Sequence, residues 1–251
     1  MSSFETIHCL ETWGDFACFT RPEMKIERYS YPVITPSAAR GIFDSVLWKP
    51  GVCWQPTRVE ILSLPRFIGL RRNEVKDKGP SEREIIAWRE GKAPIQPIVA
   101  DGDGETLDTD QKGRTQRQTM ALKDVRYRLY AGLTSLPGGR SELRGMNEQF
   151  ARRARNGQCI QQPSFGCREF PAFFRLVEPD EPMTRSPIDL TQDLGWMVYD
   201  TFDLGRINTS NAVAGVSLFR AEICNGTLDI PPYDSPLVVK PSTSSSSSSS
   251  F

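Results

Sequence analysis

Apolar and polar positions alternate over residues 5 to 13, and the chain runs on into an aromatic-rich apolar stretch, Trp13 to Thr20. Both pieces read as strand. Pro36-Ser37 then opens an amphipathic helix over Ala38 to Trp48, with Ser37 as its expected N-cap. Lys49-Pro50 ends it, because the residue before proline leaves the α region. Cys53 to Leu64 predicts a second strand, with Val59, Ile61, Leu62 and Leu64 as inward candidates. Arg71 to Pro80 is charged and reads as turn; Ser81 to Arg89 reads as a short helix with the capping pattern Ser81-x-x-Glu84. Ile95 to Ala100 and Val125 to Leu133 are further expected strands, the latter with Tyr127 and Leu129 on one face.

Beyond that, Ser141 to Arg155 predicts a basic helix with Leu143, Phe150 and Ala154 toward the core, and Gly157 to Gly166 a loop or hairpin. Phe170 to Val177 and Gly195 to Phe202 read as strands. Val216 to Ile223 and Thr227 to Ile230 form an expected hairpin around Asn225-Gly226, a type I′ signal. The tail PSTSSSSSSSF offers nothing to bury and reads as disordered or a linker. The expected class is α+β, a ferredoxin-like (RRM-type) core with a β-rich C-terminal extension. The expected boundaries are 1–135 for the core, 136–240 for the basic helix and β-rich part, and 241–251 for the tail.

Charge changes this picture in distribution rather than in total. The 31 basic and 31 acidic residues cancel to a formal net charge of +0. Yet Arg114 to Arg128 and Arg140 to Arg155 are rich in arginine, while acids gather at Asp101 to Asp110 and Glu178 to Asp193. Segregated charge can present a basic face in a neutral chain, although the same arginines can also be a solvated helix face. No run approaches the ~20 apolar residues of a membrane span, and the N-terminus lacks the features of a signal peptide. A cytoplasmic protein with no membrane partner is expected. The six cysteines form no CxxC pair and His8 is the lone histidine, so neither a metal nor another cofactor is expected, and buried reduced thiols are.

Between strand and helix lies Arg21 to Tyr31, where Arg21, Lys25 and Arg28 alternate with Tyr29 and Tyr31, after Phe19. Cations beside flat rings are how single-stranded RNA is held. The alternative is that Phe19 and Tyr31 are core. Arg152, Arg153 and Arg155 add three cations in four residues, of which 152 and 155 share a helix face. Lys49 and Arg168, the latter after Gly166-Cys167, complete the RNA-binding candidates.

The run WGDFACFTRPEMKIERYSYPVITPSAARGIFDSVLWKP, Trp13 to Pro50, resembles the N-terminus of the fifth Cas family in its subtype I-C form. So do Arg71 to Val75, Arg152 to Phe174, Leu194 to Asp200 and Phe219 to Pro231, in order across most of residues 5 to 236. The resemblance implies a Cascade subunit that binds the repeat-derived 5′ handle of crRNA. It would contact backbone and large subunits, and target DNA only through the complex. It also implies metal-independent cleavage of pre-crRNA by a Tyr or His before the WKP motif and a Lys-His pair ahead of the basic helix. Here the first position is Leu47, and the second stretch reads Arg144-Gly145-Met146-Asn147. The expectation is therefore a binder, with an active endoribonuclease as the alternative and Lys49, Tyr127, Tyr130 and Arg144 as substitute catalytic candidates.

Overall fold

The structure, a computed structural model, describes residues 4–24, 26–75, 79–95, 114–136, 142–204 and 215–241. In chain order the elements are β1 (Ile7–Ala17), β2 (Arg28–Tyr29), α1 (Pro36–Val46), β3 (Val52–Ile61), β4 (Arg66–Val75), α2 (Glu82–Arg89), β5 (Arg114–Ser135), α3 (Leu143–Arg155), β6 (Phe173–Val177), β7 (Gln192–Asp200), β8 (Ser217–Cys224), β9 (Thr227–Asp229) and β10 (Val238–Val239). The class is α+β, dominated by antiparallel sheet. Two compact units are present, residues 1–68 with 120–251, and residues 69–119. Among the described residues no helix is long and apolar enough to cross a membrane.

In the larger unit the strands run in the order β10-β8-β9-β3-β5-β1-β6. β1 lies between β5 and β6, antiparallel to β5 from Ile7↔Gly132 to Ala17↔Leu122 and to β6 from Cys9↔Val177 to Trp13↔Phe173. Helices α1 and α3 cover one face. On α1 the apolar positions Ala39, Ile42, Phe43 and Val46 recur at helical spacing and are all buried. Phe43 stacks on Phe150 of α3 at 5.5 Å, and Phe150 meets Trp54 of β3 at 4.4 Å. His8 packs into this cluster, 4.8 Å from Phe150, and its Nε2 lies 3.0 Å from Asn147 Oδ1. Burial lowers its pKa, against the opposing effects of Asn147 and Glu178.

The α1 cap differs from the sequence expectation. Thr35, not Ser37, is the N-cap: its hydroxyl accepts from the Ala38 amide at 3.3 Å, with Pro36 as first helical residue. Proline suits that position because its missing N–H has no partner there anyway. Arg71 to Pro80 is also not all turn, since β4 carries Arg71 to Val75 in a strand whose sides alternate in exposure. Its charged residues hid a period-2 pattern. In the same smaller unit, α2 begins with the expected capping box, Ser81 and Glu84 bonding reciprocally.

Other boundaries shift modestly. Leu64 is exposed rather than inward, and Cys159 and Cys224 are exposed rather than buried. Helix α3 starts at Leu143; Ser141 lies outside the described residues, as do 96–100 of the strand expected from Ile95, and Ile95 itself is not in a strand. The acidic run 101–110 and the tail from 242 also lie outside them. The β8–β9 turn is as expected: Asn225 and Gly226 both have positive φ, 49° and 73°.

Candidate nucleic-acid interface

The stretch between β1 and α1 leaves the sheet and returns to it. Thr20 bridges to Ser30, the Arg21 amide donates to the Tyr29 carbonyl at 2.9 Å, and the Tyr31 amide donates to Phe19 at 2.9 Å. This closed loop sorts its side chains. Phe19 and Tyr31 are buried, the core alternative of the two read from the sequence, because the paired stems point them inward. Arg21 and Tyr29 face outward. The Arg21 guanidinium lies 4.4 Å from the Tyr31 ring centroid and 3.8 Å from Glu23. Tyr29 rests its ring against Phe67 at 5.5 Å. Lys25 lies outside the described residues.

A second loop, 163–171, packs against the first. The Cys18 amide donates to the Phe165 carbonyl at 3.0 Å, and Arg28 reaches across to Cys167 Sγ at 3.2 Å and to Glu169 at 3.7 Å. Gly166 holds φ +83°, and an added Cβ would press into the Cys18 carbonyl. Only glycine suits both conditions. Arg168 stands exposed on this loop. The structure thus brings Arg21, Arg28 and Arg168 onto two touching loops.

Behind them opens a cavity of about 460 Å³, lined by Thr20, Arg21, Thr35, Ser37, Arg40 and Gly166, among others. Sequence reasoning missed Arg40. It donates to both Asp200 oxygens at 2.9 and 3.1 Å and to Asp44 at 2.8 Å, so its charge is spent on carboxylates. Burial, against the pull of Arg40, raises the Asp44 pKa to about 6. Arg21 and the hydroxyl residues Thr20, Thr35, Ser37 and Thr201 put polar groups on a lining that is otherwise mostly apolar, and the Ala38 and Ala39 amides of the first turn of α1 are already bonded to Thr35.

The other cations lie at the far end of α1. Lys49 and Arg152 are exposed. Arg153 turns inward and donates to the Val46 carbonyl at 2.9 Å, and Arg155 forms a bidentate pair with Glu178 at 2.7 and 3.2 Å. The basic triplet therefore has three different environments.

The catalytic substitutes do not assemble. Lys49 follows α1. Tyr127 is buried beside Phe19 and Phe165, and burial pushes its hydroxyl pKa up. Tyr130 is on the opposite side of β5 and donates to Glu60 at 3.2 Å. Arg144 pairs with Glu148 on the outside of α3. Leu47, at the position before Trp48-Lys49-Pro50, is only 2% exposed. Among the described residues no cluster of three or more His, Cys, Asp or Glu is placed to hold a metal ion.

The sheet face opposite the helices is largely closed. Glu11 takes hydrogen bonds from Arg126 at 2.6 Å and Arg175 at 3.0 Å. Burial alone would raise its pKa, but those two guanidiniums hold it below the ordinary value. Segment 178–188 crosses this face: Arg175 also binds Glu181 at 2.6 Å, Arg128 bonds the Arg185 carbonyl, and the Ile188 amide donates to Ile61 at 2.9 Å.

Residues 8–231 match the Cas5d model of the CRISPR-associated protein (Cas5) family. The chain is 41% identical over 230 residues to a CRISPR pre-crRNA endoribonuclease Cas5d of Mannheimia succiniciproducens, covering 89% of this chain and 94% of that one. It is 36% identical over 234 residues to one of Thermus thermophilus, covering 88% and 90%. Its fold is similar to a crystallographically solved CRISPR-associated protein, with a TM-score of 0.62 at 16% identity over 95% of this chain and 99% of that one. A functionally uncharacterized protein of Streptococcus mutans, SMU1763c, gives 0.60 at 17% identity over 94% and 98%. On the family model and these two relatives, the chain belongs to the Cas5d group of the CRISPR-associated Cas5 family.

Proposed function

We propose that this protein is a crRNA-binding subunit of a type I-C Cascade complex, that it holds the repeat-derived 5′ handle, and that it does not itself cut the repeat. The observation that carries the reading is the pair of touching loops that brings Arg21, Arg28 and Arg168 together beside a cavity that Arg21 lines. The family membership supplies the ligand class. The position at which the resemblance calls for a proton-transferring side chain holds buried Leu47, which has no proton to exchange.

The succession β1-α1-β3-β5-α3-β6 with spatial order β3-β5-β1-β6 supports reading the core as ferredoxin-like, with β7 to β10 as the extension. In this reading the protein works in the cytoplasm, meets the backbone and large subunits, and touches target DNA only through the complex. Lys25, Tyr29, Lys49, Arg152 and Arg155 are its further RNA contacts, whereas Arg153 is held on the Val46 carbonyl.

The second reading, an active endoribonuclease, is favoured by the names of the two relatives. Lys49, Tyr127 and Arg144 are then the residues to test. The binding claim itself is tested by titrating the protein with its own repeat RNA and with a scrambled RNA of equal length. Tighter binding of the repeat, weakened by Arg21→Ala, is expected; equal affinity for both RNAs contradicts a handle-specific subunit.

A further inference from the structure

Strand β8 alternates along its length: Ser217, Phe219, Ala221 and Ile223 are buried, Arg220, Glu222 and Cys224 are exposed, and Leu218 is half-buried. On its outward side the register sets Trp196 of β7 opposite Arg220, and Leu218 between Val198 of β7 and Val239 of β10. Trp196 is 50% exposed and Val239 51%; Leu237, just before β10, and Val216, just before β8, are 68% and 40% exposed. The outward face of an antiparallel sheet ordinarily carries polar residues. This one carries large apolar residues on neighbouring strands. Its charged end is unbalanced. Asp193 and Glu222 are cross-strand partners, and like charges set opposite one another are destabilising. Arg220 relieves Asp193 at 3.0 Å, whereas Glu222 has no ion pair or hydrogen bond among the described residues.

We propose that the outward face of β7, β8 and β10 is a docking surface for another protein subunit, one that lays apolar side chains over Trp196, Leu218 and Val239 and sets a lysine or arginine against Glu222. This rests on the reading of the chain as a Cascade subunit, and assigns the face that meets a protein neighbour. An exposed tryptophan among apolar neighbours is the residue type that most often dominates interface energy, and its indole N–H leaves a donor for the partner. Charge selects the occupant. Carboxylates at 193 and 222 repel a polyanion, which disfavours RNA here. A second copy of the same face brings no spare cation, because Arg220 is paired with Asp193 and Lys240 Nζ lies 4.4 Å from the Tyr233 ring centroid. A partner's cation removes the Asp193–Glu222 conflict that the isolated chain carries, so charge complementarity fixes the register of the apolar contact. The strands hold the face in place beforehand, which lowers the ordering cost of binding.

The test reconstitutes the full chain with crRNA and the backbone and large subunits of its own complex, and measures assembly and repeat-RNA affinity separately. Trp196→Ala should weaken assembly roughly 30-fold or more, the range of an interface hot spot, and leave RNA affinity unchanged. Val239→Ser should weaken assembly in the same direction. Glu222→Gln should weaken assembly roughly 2- to 5-fold, the range of an exposed ion pair. The same variant should raise the melting temperature of the isolated chain by roughly 1–4 °C, because it relieves the cross-strand repulsion. Wild-type assembly by folded Trp196→Ala and Val239→Ser variants overturns the proposal. So does a melting temperature that falls on Glu222→Gln, which would show that the carboxylate already serves this chain alone. Lost RNA affinity with intact assembly assigns the face to RNA, and dimerisation of the isolated chain abolished by Trp196→Ala assigns it to a second copy; both overturn it. Failure of the wild-type chain to join the complex removes the Cascade reading itself, a result distinct from a defect confined to the variants.

Discussion

Arg153 donates from Nη1 to the main-chain carbonyl of Val46 at 2.9 Å, so the middle cation of the basic triplet closes the C-terminal end of α1. A cation there also meets the negative end of the helix dipole. The triplet should therefore divide on mutation. Arg153→Ala should cost about 1.5–3 kcal/mol, the value of a hydrogen bond to a charged group, and read out as a lower melting temperature. Arg152→Ala with Arg155→Ala should leave stability nearly unchanged, weaken RNA binding, and flatten its salt dependence. An unchanged salt slope would make both a solvated helix face.

Arg21 lies over Tyr31 with partial exposure, a contact worth about 0.5–1 kcal/mol. Arg21→Ala should lower the melting temperature by only a few degrees, at roughly 2–4 °C per kcal/mol for a chain of this size. Its effect on crRNA retention should be much larger. Wild-type retention by the folded variant would take the loop out of the site.

Gly166→Ala forces a Cβ into the Cys18 carbonyl at φ +83°. The left-handed conformation alone costs an L-residue about 1–2 kcal/mol, and the clash adds to it. Displacing loop 163–171 should also move Arg168 and the cavity wall. Thermal unfolding and RNA titration should both show loss; a variant unchanged in both would mean the two loops are not tightly docked.

Glu11 is held below its ordinary pKa of 4.5 in the fold by Arg126 and Arg175, against the opposing effect of burial. A lowered folded pKa means the unfolded chain binds the proton more readily. The stabilisation is whole above pH 4.5 and is lost as pH falls through the folded value. Glu11→Gln should therefore destabilise at neutral pH and reduce the acid dependence of stability. An acid profile identical to wild type would contradict this.

Much of the frame was legible because local chemistry and tertiary structure agree. The α1 stripe, the Ser81–Glu84 box and the Asn225-Gly226 turn each encode their geometry within a few residues. The site was only partly legible. That Phe19 and Tyr31 turn inward depends on pairing between Thr20 and Ser30, and sequence order does not show which side of a loop stem faces the core. The inward turn of Arg153 and the bonding of Arg40 to Asp200 depend on contacts 107 and 160 residues apart. The one available signal for Arg40 was a cation on the α1 turn that follows Ser37. The strand in Arg71 to Val75 was hidden because its charged residues mask the alternation in exposure and mimic a turn.

The most direct test of the account is incubation of the purified protein with its own repeat RNA in EDTA, with binding and products followed together. The account predicts a stable complex and intact RNA, since Leu47 offers no acid or base and losing such a group costs roughly 10²- to 10⁴-fold in rate. Efficient cleavage at one position, leaving a 2′,3′-cyclic phosphate and abolished by a point mutation in this chain, would contradict it.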